Sequence, residues 1–267
     1  MLLEGKVVIV SGIGPGLGIK LAVEAALAGA AAVVCAARTP ARLDAAQAAI
    51  RALGAATARC QVMKVATDIT DEAQCARLAE QVVAQCGRID VLLNSAFEHG
   101  RFEPVSSARL DGWRQAYETN VIGTLRLSQQ VIGQMQRQTP QGGAIVMINT
   151  MATRKPYAGE AGYAASKGAQ AVAVKYLAQE VGRHRIRVNS VFIGWMWGVP
   201  VQQGLRAMAE QQQTSVAALQ AQIVANIPLG RMATDEECAR AALLLASDHA
   251  QAITGACLDV NGGEYLP

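Results

Sequence analysis

Val7-Val8-Ile9-Val10-Ser11-Gly12-Ile13-Gly14-Pro15-Gly16-Leu17-Gly18 is the stretch from which the fold is read. Four consecutive apolar residues suit a strand covered on both faces. A helical pattern over residues 19–27 follows the glycines and closes at Gly29. A glycine-rich turn between a strand and a helix brings backbone N–H groups and the positive end of the helix dipole to a diphosphate. Gly12, Gly14, Gly16, Leu17 and Gly18 are therefore expected to hold a dinucleotide.

The next strand, residues 32–37, ends in Ala37 and is followed by Arg38-Thr39-Pro40. Thr39 is placed as the N-cap and Pro40 as the first residue of a helix running to about Leu53. In a dinucleotide fold this strand end reads the adenosine ribose, and an acid there bonds the 2′-hydroxyl. Arg38 in that place welcomes a 2′-phosphate instead. The reading favours NADP(H) and leaves NAD(H) open.

Further apolar runs at 60–65, 89–93, 143–149, 186–191 and 256–260 read as strands, separated by helical stretches that include 111–135 and 162–181. Alternation from end to end implies one α/β domain, 1–267: a doubly wound parallel sheet of about seven strands with helices on both faces. Arg38, Asp68, Asn94, Thr150 and Gly194 all fall at strand carboxyl ends, where such sheets bind ligands.

Composition narrows the function. Over 267 residues, 51% are hydrophobic and 17% charged, so a large core is available and global disorder is excluded. Net charge is +3 without a basic tract, which points away from nucleic acid and membrane surfaces. No apolar run is long enough to span a bilayer. Six cysteines lack metal-ligand spacing and three histidines lie far apart, so no metal site is expected. A cytoplasmic protein is expected, since the first strand begins at once and leaves no room for a signal peptide.

Gly162-Tyr163-Ala164-Ala165-Ser166-Lys167 places a phenol and an ammonium four residues apart on one helix face. A positive charge beside a phenol favours the phenolate and lowers the tyrosine pKa from near 10. With the glycine turn, Asp68, Asn94-Ser95-Ala96-Phe97, Asn120, Asn189, Thr254-Gly255 and Asn261-Gly262-Gly263 in order, the chain resembles the short-chain dehydrogenase/reductase family along essentially its whole length.

The resemblance implies hydride transfer between a nicotinamide and a carbonyl or secondary alcohol. It implies Tyr163 as acid/base and Lys167 as its partner, on the nicotinamide ribose. Thr150 would bond the substrate oxygen, and Asn120 would hold a water that links Lys167 to solvent. Asp68, Ile69, Asn94, Ser95, Ala96, Gly194 and Met196 would contact the cofactor.

Three departures from the family pattern stand out. Thr150 replaces the catalytic serine, Phe97 replaces a glycine, and Trp195-Met196-Trp197-Gly198 replaces a segment that normally carries a threonine. With 193–228 as a lid, Phe97, Met151, Tyr157, Trp195 and Trp197 form an expected aromatic lining for a bulky hydrophobic substrate of steroid, terpenoid or aryl type. A 3-oxoacyl-thioester reductase is the alternative within the family. A non-catalytic NADP-binding sensor or scaffold is the alternative of another class. The resemblance also implies a homo-oligomer, a tetramer paired through helices 111–135 and 162–181.

Overall fold

The computed structural model describes residues 1–267. Strand and helix alternate as β1 (Val7–Ser11), α1 (Leu17–Leu27), β2 (Ala32–Ala37), α2 (Pro40–Arg51), β3 (Gln61–Ala66), α3 (Glu72–Cys86) and β4 (Val91–Asn94). The second half runs α4 (Leu110–Tyr117), α5 (Thr124–Arg137), β5 (Gly143–Thr150), α6 (Ala161–Val181) and β6 (Ile186–Ile193). It ends with β7 (Met196–Trp197), α7 (Val199–Gln211), α8 (Val216–Val224), β8 (Ala233–Thr234), α9 (Asp235–Ala246) and β9 (Cys257–Val260).

Seven strands form one sheet in the order β3-β2-β1-β4-β5-β6-β9, every pair parallel. The alternation of β1 explains its unbroken apolar run. Val8 and Val10 pack into a core with α1, α2 and α9, while Val7 and Ile9 pack into a second core with α3, α5 and α6. Each fully buried Val or Ile contributes roughly 1.5–3 kcal/mol, so the run is favoured only when both faces are covered. The chain leaves β1 toward β2 and β3, then returns to β4 on the other side. Connections diverge between β1 and β4, and a crevice opens at their carboxyl ends.

One detail differs from the sequence reading. The helix expected over 111–135 is two helices, joined by a wider π-type turn over Glu118–Gly123 that carries Asn120. The Asn120 carbonyl there accepts the Thr124 hydroxyl at 2.9 Å. Polar side chains thus compensate for backbone bonds that the widened turn leaves open. Residues 193–228 hold two helices, α7 and α8, and Leu205, Ala209, Leu219 and Ile227 form a small core with Met232. Strands β7 and β8 pair in parallel outside the main sheet. No helix is long and apolar enough to cross a membrane.

Candidate active site at the carboxyl rim of the sheet

A cleft of about 540 Å³ lies over the divergence of β1 and β4. Residues 11–18, 36–39, 67–69, 95–97, 148–150 and 193–196 line it, with Arg42, His99, Tyr163 and Lys167. The glycine turn forms its floor. Gly12 has φ +91°, and a Cβ there would collide with the Ala96 backbone; a Cβ on Gly18 would collide with the Gly12 carbonyl. These two glycines let the β4 loop and α1 close against the turn. Gly14 has open space around its Cβ position, and Gly16 caps α1, whose first N–H groups face this end of the cleft.

At the other end Arg38, Thr39 and Arg42 line the wall. Thr39 occupies the N-cap position of α2 but makes no capping hydrogen bond, so its hydroxyl stays available. Arg42, one helical turn beyond Arg38, doubles the positive charge there; the sequence reading missed it because α2 seemed only a covering helix. Asp68 Oδ1 accepts from the Thr70 N–H at 2.9 Å and hydroxyl at 2.8 Å, which fixes the carboxylate on the rim. Ile69 lines the cleft beside it.

The expected cofactor residue Asn94 sits elsewhere. It is 1% exposed and its amide donates to Ser128 Oγ at 3.1 Å and Met147 Sδ at 3.3 Å, beneath the floor. Its neighbours Ser95 and Ala96 do reach the lining, as do Gly194 and Met196.

β5 and α6 bring the expected catalytic side chains together. Thr150 Oγ1 accepts the Ala152 N–H at 3.2 Å, and its side chain lines the cleft with Tyr163. Lys167 is 2% exposed, and its Nζ donates to the Ile148 carbonyl at 2.7 Å and to Gln170 Oε1 at 3.4 Å. Burial pushes the ammonium down to about 7. Burial and the nearby Glu160 charge push the Tyr163 phenol above its usual value, with the Thr150 hydroxyl opposing them. The depression of Tyr163 by Lys167 expected from their spacing is therefore absent. Desolvation outweighs the helix-face proximity, and Lys167 turns its protons to two neutral acceptors.

Asn120 is fully buried. Its Oδ1 accepts the Glu98 N–H at 2.7 Å, and its Nδ2 donates to the Glu98 carbonyl at 2.8 Å and Ser166 Oγ at 2.9 Å. Its side chain thus pins the loop after β4 to α6. Its carbonyl accepts from Gln170 Nε2 at 2.8 Å.

The roof is aromatic. His99 stacks on Tyr163 with ring centroids 4.5 Å apart and on Phe102 at 4.3 Å; Phe97 tilts over Tyr163 at 6.1 Å. His99 Nδ1 is buried without a partner, and burial lowers the imidazole pKa. The sequence showed His99 only as one polar residue in a loop, with no periodicity to aim it.

Trp195 forms the opposite wall, and the Tyr157 ring packs edge-on against it with centroids 6.0 Å apart. Tyr157 in turn donates to Glu264 Oε1 at 3.0 Å, where Lys155 also binds at 2.9 Å. Tyr157 thus braces the wall from behind instead of lining it. Met151 is 1% exposed beneath Gly194, and Trp197 packs on the α7–α8 core, so both expected lining residues lie outside the cleft. Their side chains had an apolar core to fill.

The donors in the cleft fit a nicotinamide dinucleotide. A helix N-terminus and an open glycine crest meet its diphosphate, while Arg38, Arg42 and Thr39 stand at one end and Thr150, Tyr163 and Lys167 at the other. Ser11 Oγ, fully buried and unpartnered in the lining, is one orphan that such a ligand satisfies.

A family model described as enoyl-(acyl carrier protein) reductase matches residues 12–264. The chain is 32% identical over 266 residues to 3-oxoacyl-(acyl-carrier-protein) reductase FabG of Escherichia coli (strain K12), covering all of both chains. It is 30% identical over 264 residues to the 7alpha-hydroxysteroid dehydrogenase of that organism, covering 98% of this chain and 94% of the relative. The structure of 7alpha-hydroxysteroid dehydrogenase with NADH and 7-oxo glycochenodeoxycholic acid superposes with TM-score 0.84 at 30% identity over 98% and 94% of the two chains. That of L-sorbose reductase from Gluconobacter frateurii with NADPH and L-sorbose does so with TM-score 0.90, at 26% identity over 99% and 98%. With its parallel sheet, glycine turn and rim of polar side chains, the chain belongs to the short-chain dehydrogenase/reductase family, nicotinamide-dependent oxidoreductases that act on CH–OH or carbonyl groups.

Proposed function

We propose that this enzyme interconverts a secondary alcohol and a ketone on a bulky, largely hydrophobic substrate, with NADP(H) as the preferred cofactor. The observation that carries the reading is the convergence of Thr150, Tyr163 and Lys167 on one wall of the cleft, beneath a roof of Phe97 and His99 and beside Trp195. When bound, the nicotinamide supplies or accepts the hydride. Tyr163 gives its proton to the oxygen that gains charge, Thr150 donates a hydrogen bond there, and the aromatic walls exclude water. Acid–base help of this kind is worth roughly 10²–10⁴-fold in rate. Lys167, buried beneath, holds the proton that compensates Tyr163.

The cofactor preference rests on Arg38 and Arg42 at the adenosine end, with Ala37 where an acid would repel a 2′-phosphate. We read 193–228 as a substrate lid, because its α7–α8 core packs on itself while residues 193–196, Pro200 and Val201 line the cleft. Val172 and Tyr176, 55% and 66% exposed on α6, support assembly through that helix, for which a tetramer is proposed. Six free thiols, three of them buried, suit the reducing cytoplasm.

A thioester reductase would need a basic patch at the mouth for an acidic carrier, with Arg101, Arg126 and Arg154 as its candidates. Each is already paired: Arg101 with Glu103, Arg126 with Glu118, and Arg154 with Asp259 over the Phe192 ring. The deciding experiment is turnover of a panel of steroid, aryl and acyl-thioester ketones with NADPH and NADH. Consumption of NADPH with a bulky ketone supports the reading; turnover of acyl thioesters alone, or equal use of both cofactors, refutes it.

A further inference from the structure

Gln170 is 2% exposed, one helical turn beyond Lys167 on the same face of α6. A buried amide costs folding free energy unless its polar atoms are paired. Both ends of this one are. Nε2 donates to the Asn120 carbonyl at 2.8 Å and approaches Thr124 Oγ1 at 3.4 Å. Oε1 accepts from Lys167 Nζ at 3.4 Å. The orientation follows from the chemistry: a carbonyl can only take the NH₂ end, which leaves the oxygen facing Lys167.

We propose that Gln170 is a positioning residue that ties Lys167 to the π-type turn and sets how readily it ionises. An ammonium has three donors. Ile148 takes one and Gln170 a second, which leaves the third for a group in the cleft that Lys167 lines. A neutral acceptor favours the charged form and opposes the burial that disfavours it. The groups packed around Lys167 from β5 and the turn are neutral: the Ile148 carbonyl, Asn149, Thr150 and Asn120. The nearby ionisable groups are Tyr163 on its own helix and Glu160 at that helix's start, which acts on Tyr163. An amide also holds a proton donor in place without passing the proton on.

The inference rests on the reading of this cleft as the catalytic centre, and its test is separable from that reading. The chain has six lysines, and lysine-selective ¹³C NMR resolves their titrations; Lys167 is identified by the signal lost in Lys167→Arg. Gln170→Met keeps the bulk and removes the acceptor, while Gln170→Glu replaces it with a charged one. The Lys167 midpoint falls by about one pH unit in the first and rises by about as much in the second. The alkaline limb of kcat for carbonyl reduction moves in the same directions, with KM changed less than the limb. An unmoved Lys167 midpoint in both folded variants overturns the proposal, whatever the activity. A midpoint that moves in a protein that turns over no ketone supports it and refutes the catalytic reading alone.

Discussion

Two clefts lie at opposite ends of the sheet, and only one of them holds a catalytic constellation. At the amino ends of the strands a cleft of about 610 Å³ is lined by Lys6, Arg88, Asp90, Arg185, Arg187 and Asp248. Most of its charges are answered from within. Lys6 pairs with Asp248 and Arg88 with Asp90, and Arg187 donates to the carbonyls of Leu245, Ala246, Ser247 and Ile253. At the carboxyl ends the cleft of about 540 Å³ holds Ser11 Oγ and His99 Nδ1 with no partner, a lysine pushed down to about 7 and a phenol pushed up. One end has most of its polar groups matched to one another and the other keeps them for a ligand. Unmatched polar atoms mark the working end.

The contrast breaks most sharply at Tyr163. Tyr163→Phe is expected to lower kcat about 10³-fold or more while NADPH binding, read by fluorescence titration, stays within about twofold. Substantial remaining turnover would remove the chemistry from this rim. Arg187→Leu probes the opposite end. Four carbonyls lose their donor, so chemical denaturation should show a loss of roughly 3 kcal/mol with the kcat of the folded enzyme unchanged. A fall in kcat without a fall in stability would make the lower cleft functional.

Arg38→Ala is expected to weaken NADPH binding about 10–100-fold and NADH binding little, as for a hydrogen-bonded charge contact of roughly 1.5–3 kcal/mol. Calorimetry with both cofactors decides this, and equal losses would end the 2′-phosphate argument. Glu264→Ala should raise the ketone KM a few-fold with kcat nearly intact, because Tyr157 then no longer braces Trp195. An unchanged KM would show that the wall stands without its brace.

A separate effect is on stability against pH. Lys167 titrates near 7 when folded and near 10.5 when unfolded, so between those values the unfolded chain holds the extra proton. Stability from this group rises with pH across that window and is reduced below it. Thermal melts of the cofactor-free protein should therefore show the wild type gaining on Lys167→Met between pH 7 and pH 10. Parallel curves would mean that Lys167 is not desolvated.

Much of the rim was legible in the residues. The glycine turn announced itself because strand, glycines and helix are contiguous, and Gly12 and Gly18 occupy places that no side chain fits. Arg38 was found through its place at the end of β2. Other residues were misread for identifiable reasons. Met151 and Trp197 carry the right chemistry for a hydrophobic lining, but apolar side chains pack equally well into a core, and these two did. Asn94 ends β4 as expected, yet its amide turns inward to Ser128 and Met147. The helix over 111–135 hid its π-type turn, because periodicity over one turn does not register a single extra residue.

By itself the sequence determined the alternation of strand and helix, the diphosphate turn and the Tyr163–Lys167 spacing. All three are local, set by the period of the backbone and the sterics of glycine. Tertiary structure alone decided the ionisation of that pair and its surroundings. Gln170 meets Asn120 across 50 positions of chain, and His99 meets Tyr163 across a loop that no pattern aims. Burial, which pushes Lys167 down and Tyr163 up, exists only once both cores have closed around β5 and α6, because desolvation belongs to the packed molecule and not to any residue type.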